Sequence, residues 1–237
     1  MQKVVIHDLG QVGFAEGWEL QTLYRDKLID RKRLLRNGGQ VTREMTHYLI
    51  VCEHHPVFTL GKTGKVENLL VSEATLAEDG IDYHEINRGG DITFHGPGQL
   101  VLYPIFDLDY FFTDVHKYVR CLEEAVIKTL FKYDIHGERI KDFTGVWIKD
   151  SYKRTKKICA IGVHLSRWVT MHGLAFNINT DLSYFDMIVP CGIADKDKEV
   201  TSLATILGEE QDMIELKNCL IGHLGQVFEF EGVIDRR

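Results

Sequence analysis

A chain of 237 residues with 28 basic and 35 acidic side chains carries a formal net charge of −7, a balance that excludes a general nucleic-acid surface. No apolar run approaches the ~20 residues that a membrane span needs. The opening MQKVVIHDLG has neither the apolar centre of a signal peptide nor the Arg/Ser-rich character of a transit peptide, so a cytoplasmic protein without membrane contact is expected.

That opening reads as a short strand. Residues 16 to 36 place Leu20, Tyr24, Leu28 and Leu35 at helical spacing, and THYLIVCE at 46 to 53 suits a strand. The stretch RGGDITFHGPGQLVLYP, 88 to 104, sets glycines, an arginine and a histidine directly against an apolar segment. Each glycine raises the entropy cost of folding by roughly 0.5 to 1 kcal/mol, which a binding site explains better than a spacer. Leu100 to Phe106 then predicts a buried strand. From Thr113 onward, Val115, Tyr118, Val119, Leu122, Val126, Leu130 and Tyr133 keep a 3.6-residue period, with Thr113 or Asp114 as the cap. Between 144 and 179, GVWI, ICAIGVHL, WVTMHG and LAFNIN read as consecutive antiparallel strands. A last helix is expected from about Glu210 to Val227 on Met213, Leu216, Leu220 and Leu224. The class is α+β, a mixed β-sheet flanked by α-helices. No linker or repeat divides the chain, so one domain over 1–237 is expected.

Two basic runs, Arg31-Lys32-Arg33 and Lys149 to Lys157, read as solvated faces. GKT at 61 to 63 resembles the end of a phosphate loop, but the glycine required at position 56 is Pro56, and the reading is rejected. His54 and His55 are adjacent, and Cys159 and His164 fall on opposite faces of a strand, so no metal site is expected. The five cysteines are odd in number and include no C-x-x-C pair, which argues against a disulfide framework. Cys52, Cys121, Cys159 and Cys219 sit in strand-like or helical text. Cys191 differs: in IVPCGI, Pro190 stiffens one side and Gly192 frees the other, presenting the thiol on a sharp turn. At an unperturbed pKa near 8.5 only about 3% of a thiol is ionised at pH 7, so a nucleophilic cysteine needs one modest positive partner. Lys157, His95 and His172 are the candidates, and spacing does not choose among them.

RGGDITFHGPGQLVLYPI, KKICAIGVHLSRWVTMHGLAFNINTDL and MIVPCGI followed by VTSL, together with EHHPVFTLGK at 53 to 62, resemble the lipoyl(octanoyl) transferases in the family's block order over about residues 50 to 205. TGVWI departs from the Pro-Gly-Val start common there, with Thr144 in place of the proline. The resemblance implies the catalytic-domain fold of biotin and lipoate protein ligases. It also implies transfer of an octanoyl group from octanoyl-acyl carrier protein to Cys191, then to a lysine on lipoyl domains of 2-oxoacid dehydrogenase E2 subunits or the glycine-cleavage H protein. It pairs Lys157 with Cys191. Its substrate-lining positions correspond to Arg88, Gly89, Gly90, Asp91, Ile92, Thr93, Phe94 and His95, to Ala160, Ile161 and Gly162, and to Gly173, Leu174 and Ala175. His172 is a supporting candidate.

The chemistry asks for no cofactor, because thioester exchange is nearly isoenergetic and aminolysis of a thioester runs downhill. An acceptor lysine with a pKa near 10.4 is neutral in only about 1 molecule in 2,500 at pH 7, so the second step needs a proton acceptor. Lys157, partly desolvated, can serve twice: as the cation beside the thiolate, and as the base for the incoming amine. Backbone N–H groups near Gly192 or His172-Gly173 are the expected oxyanion donors. Burying a seven-carbon tail contributes roughly 5 kcal/mol of gross affinity. The rival readings are an ATP-dependent lipoate or biotin ligase of the same fold, which would not need Cys191, a cysteine enzyme that moves acyl groups between carriers, and a non-catalytic module that binds acylated carriers.

Overall fold

The computed structural model describes residues 1–41, 45–150, 154–189 and 198–235. In chain order the elements are β1 (Gln2–Val12), α1 (Phe14–Arg36), β2 (Thr46–His54), β3 (Val57–Leu60), α2 (Glu73–Glu78), β4 (Asp82–Glu85), β5 (Ile92–His95), β6 (Gln99–Ile105), α3 (Val115–Phe131), β7 (Gly137–Ile140), β8 (Phe143–Lys149), β9 (Thr155–Ser166), β10 (Val169–Asn177), β11 (Lys198–Val200), α4 (Leu203–Leu207), α5 (Met213–Phe228) and β12 (Phe230–Ile234). Among the described residues, nine strands form a mixed sheet in the order β12-β1-β2-β6-β10-β9-β8-β7, with β11 on β9; a second sheet runs β4-β3-β5. The expected α+β class, a mixed sheet flanked by helices, is what the chain adopts.

The two faces of the large sheet are covered differently. On one, Leu122, Val126 and Leu130 of α3 and Leu216, Leu220 and Leu224 of α5 pack on Leu102, Val146, Ile158 and Phe176. Each such side chain contributes about 1.5 to 3 kcal/mol on burial. On the other, α1 covers Tyr48, Ile50, Val101, Ile105, Val169 and Met171. The small sheet builds its own core from Phe58, Leu60, Ile92 and Phe94, closed by Leu76 of α2.

Local chemistry sets the helix ends. Asp114, rather than Thr113, caps α3 by accepting the Lys117 N–H at 2.9 Å. Asp212 accepts the Ile214 and Glu215 N–H groups at 2.8 and 3.0 Å, so α5 starts at Met213 and not at Glu210. WVTMHG and LAFNIN prove to be one strand, because β10 keeps its register with β9 from Val169 to Phe176. The hairpin between them turns on Arg167 and Trp168, with φ of 51° and 65°, the positive-φ pair that a two-residue turn needs.

Lys32 corrects the solvated reading of Arg31-Lys32-Arg33. It is 7% exposed, and its ammonium donates to Asp107 Oδ1 at 2.6 Å and Arg167 O at 2.8 Å, with Asp109 Oδ2 at 2.8 Å. Three acceptors match the three N–H donors of a lysine, and this tripod pins α1 to the hairpin turn. The second run is mixed. Lys149, Arg154 and Lys156 pair with Glu138, Asp150 and Glu199 on the outer surface, while Lys157 turns inward.

Candidate active site

A cavity of about 360 Å³ lies where the segment before β5 meets β9 and β10. It brings together Arg88, Gly89, Gly90, Asp91, Ile92, Thr93 and His95 with Ala160, Ile161, Gly162, Gly173, Leu174 and Ala175, and adds Lys157 and His172. Phe94 is not among the lining residues. Side chains alternate across a strand, so Phe94 points away from its neighbours Thr93 and His95. It is 1% exposed and stacks on Tyr184, with centroids 4.4 Å apart. Cys191 and Gly192 lie outside the described residues.

The glycine block is seated on the sheet by its backbone. Gly162 and Gly173 are cross-strand partners, as are Ala160 and Ala175, which leaves a low floor. The Gly89 N–H donates to Val163 O at 3.0 Å, and a Cβ on Gly162 would stand 2.8 Å from Gly89 O. Only glycine there lets the loop lie this close. On the loop's other side, the amides of Gly61, Lys62 and Thr63 donate to Asp91 O, Arg88 O and Gly90 O at 3.2, 2.9 and 3.2 Å. The amides of the GKT turn thus hold this loop instead of forming a phosphate nest.

Buried polar groups in the cavity lining are linked to one another and to the strands around them. Arg88 donates through Nη2 to Thr59 O and Oγ1 at 2.6 and 2.9 Å. Gln99 donates to Phe94 O and Asn177 Oδ1 at 3.1 and 2.9 Å, so its carbonyl accepts from His95 Nδ1 at 2.7 Å and fixes that tautomer. Asn177 donates onward to Thr201 O at 3.1 Å, and the Thr201 N–H donates to Lys157 O at 2.9 Å. Burial, with the charges of His54 and Arg88, pushes His95 down to about 3. Burial and Arg88 do the same to His172. Both histidines are neutral at pH 7, so neither supplies the positive charge a thiolate would want.

His172 has a φ of 60°, a costly conformation for a non-glycine residue. Its N–H donates to the buried Gln21 Oε1 at 2.9 Å, and its Nε2 donates to Asn87 Oδ1 at 3.2 Å. Because Gln21 already takes that N–H, the expectation of an oxyanion donor at His172 N is corrected. Lys157 is half-buried, opposite Trp147 of β8 and Val200 of β11 in the sheet register. Its Nζ stands 4.6 Å from the Trp147 ring centroid.

The sequence reading missed several lining residues, among them Phe14, Gln99, Tyr103 and Asn177. Gln99 and Tyr103 share a strand face by their even spacing, a signal available in GQLVLYP. Tyr103 donates to His54 Nε2 at 2.8 Å, while His54 Nδ1 donates to Val12 O at 3.1 Å. Thr59, inside the EHHPVFTLGK block, does not line the cavity and acts through Arg88. Among the described residues, no group of three or more His, Cys, Asp or Glu side chains can hold a metal, and no helix is long and apolar enough to cross a membrane.

Comparison with known proteins agrees with this architecture. The family model described as lipoyl protein ligase A/B catalytic domain matches residues 31–225. An octanoyltransferase of Cytophaga hutchinsonii is 50% identical over 230 residues, 96% of this chain and 93% of its own. One of Flavobacterium johnsoniae is 47% identical over 231 residues, 97% and 98% of the two chains. Among solved structures, the bi-partite lipoate protein ligase of Thermoplasma acidophilum superposes with a TM-score of 0.72 at 16% identity, covering 99% of this chain and 87% of that one. A lipoate-protein ligase A bound with ATP gives 0.67 at 16% identity, covering 99% and 88%. These two structures speak to the fold alone. With a family model over most of its length and relatives near half identical end to end, the chain belongs to the lipoyl protein ligase A/B catalytic-domain family.

Proposed function

We propose that this chain is an octanoyltransferase that acts in protein lipoylation as one catalytic domain. The donor is octanoyl-acyl carrier protein; the acceptors are lysines on lipoyl domains of 2-oxoacid dehydrogenase E2 subunits and on the glycine-cleavage H protein. The observation that carries the reading is that one cavity is lined together by Arg88 to Thr93 and His95, the small-residue floor of β9 and β10, and Lys157. An alkyl chain fits that floor, and Ile92, Leu174 and Ala175 give it apolar contacts.

In the first step the Cys191 sulfur attacks the thioester carbonyl, and the carrier thiol leaves with a proton from Lys157. In the second, the acceptor amine attacks the Cys191 thioester, Lys157 takes the amine's proton, and the sulfur leaves. Support for joining the two residues comes from the described flanks. The Val189 N–H donates to Asn68 O at 2.7 Å, and Asn68 in turn donates to Asp91 Oδ2 at 2.5 Å. On the far side, Val200 pairs with Lys157. The histidines being neutral also favours Lys157 as the positive partner.

Transfer from octanoyl carrier protein to apo lipoyl domain, assayed without nucleotide or magnesium, tests the reading. Wild-type protein is expected to complete the transfer and Cys191→Ala to lose it. A strict requirement for ATP, with Cys191→Ala still active, would establish the ligase reading instead.

A further inference from the structure

We infer that Trp147 is a positioning residue for Lys157, its indole face holding the ammonium at the cavity wall. The inference rests on the reading of Lys157 as the group that exchanges a proton with the reacting sulfur. The 4.6 Å between Nζ and the ring centroid falls inside the ~6 Å over which an aromatic face attracts a cation. The two residues are cross-strand partners at the point where β8 slips register, between Val146 and Trp147.

The ring cannot turn away. Trp147 is wholly buried, its Nε1–H donates to Phe143 O at 3.1 Å, and Phe143 packs edge-on at 82° with centroids 6.0 Å apart. The register slip is itself braced from behind. Gly145 has a φ of 122°, and a Cβ there would stand 2.5 Å from Cys159 O. Its N–H donates to Glu123 Oε1 at 3.1 Å. Glu123 is 0% exposed, and its second oxygen accepts from Arg120 and Arg139 at 2.6 and 3.0 Å. A buried, doubly paired carboxylate therefore devotes one oxygen to the turn that aims the ring.

An aromatic face suits a lysine that must change protonation state. A half-buried ammonium loses hydration, and the ring's negative face restores part of that stabilisation. Unlike a carboxylate in the same place, the ring accepts no proton, so the lysine remains able to give its own away. The indole thus fixes where the charge sits without neutralising it.

Tryptophans bearing one to four ring fluorines, installed at position 147 of the full chain, keep the shape while draining the negative face. The readout is the rate of Cys191 alkylation by iodoacetamide at pH 7, followed by peptide mapping, alongside the melting temperature. The rate is expected to fall stepwise, about tenfold from the parent to the tetrafluoro ring, equivalent to about 1.4 kcal/mol, with the melting temperature unchanged. In a Lys157→Met background, alkylation is expected to be slow throughout and indifferent to fluorination. A flat series with Lys157 present, or an equal fall without it, overturns the inference. A Lys157→Met protein alkylated at the wild-type rate overturns instead the reading of Lys157 on which the inference rests.

Discussion

Lowering the pH from 7.5 to 5 is expected to remove much of this protein's stability, and four histidines set the size of the effect. Burial is the first cause in each: it holds His47 and His54 at about 4 and His95 and His172 at about 3, against 6.5 for an exposed imidazole. A histidine with a depressed native pKa binds its proton more readily when unfolded. Its contribution is therefore complete above about pH 6.5 and is lost as the pH falls toward the native value. At pH 5 the loss is governed by the unfolded pKa and hardly depends on whether the native value is 3 or 4. It comes to about 2 kcal/mol apiece and about 8 kcal/mol for the four, comparable with the 5 to 15 kcal/mol that holds a typical domain together. Asp107, whose carboxyl burial raises, opposes the trend as a single group. Urea unfolding at pH 7.5, 6 and 5 measures the slope. His47→Asn isolates one contribution, since the Asn carbonyl can replace Nδ1 as acceptor of the Asp107 N–H, and it should flatten the pH 7.5 to 5 difference by about 2 kcal/mol. Stability that stays level between pH 7.5 and 5, or a His47→Asn profile parallel to wild type, would refute the reasoning and with it the neutrality of the two cavity histidines.

Other substitutions probe separate parts of the account. Gly162→Val places a branched side chain where even a Cβ would stand 2.8 Å from Gly89 O; displacing the loop by about 1 Å is expected to lower kcat/KM by about a hundredfold with little change in melting temperature. Equal activity would show that the loop's seat is not needed. Lys32→Met leaves the buried Asp107 carboxylate without its ammonium partner and should cost about 3 to 5 kcal/mol in urea unfolding; a loss under about 1 kcal/mol would mean the tripod behaves as a surface pair. Lys157→Ala is expected to slow acylation at pH 7 and to recover rate as the pH rises, and a normal rate at neutral pH would remove Lys157 from the mechanism.

Several elements were legible because one local signal sufficed. The 3.6-residue period of α3 with its Asp114 cap, and the β-prone run of β8 to β10, depend only on neighbouring residues. The glycine block was legible as a site because glycine is costly without a reason. What escaped the reading is long-range. Lys32 looks like one more surface charge until Asp107, 75 residues away, is brought beside it. β12 joins β1 at the opposite end of the chain, and the four-residue strands of the small sheet are too short to carry a period. Phe94 read as a cavity residue because the block around it did, although alternation within β5 turns it to the opposite face. Leu35 keeps the helical spacing of α1 yet is 43% exposed, whereas Gln21, a polar residue, is wholly buried to meet the His172 N–H.

The central claim is that Cys191 carries the acyl group between donor and acceptor. Intact-mass measurement after mixing with octanoyl carrier protein tests it most directly. The account predicts one octanoyl group on the wild-type chain, none on Cys191→Ser, and its discharge on adding apo lipoyl domain. Wild-type protein that completes the transfer yet is never found acylated, or a Cys191→Ser chain that carries the group all the same, would contradict it.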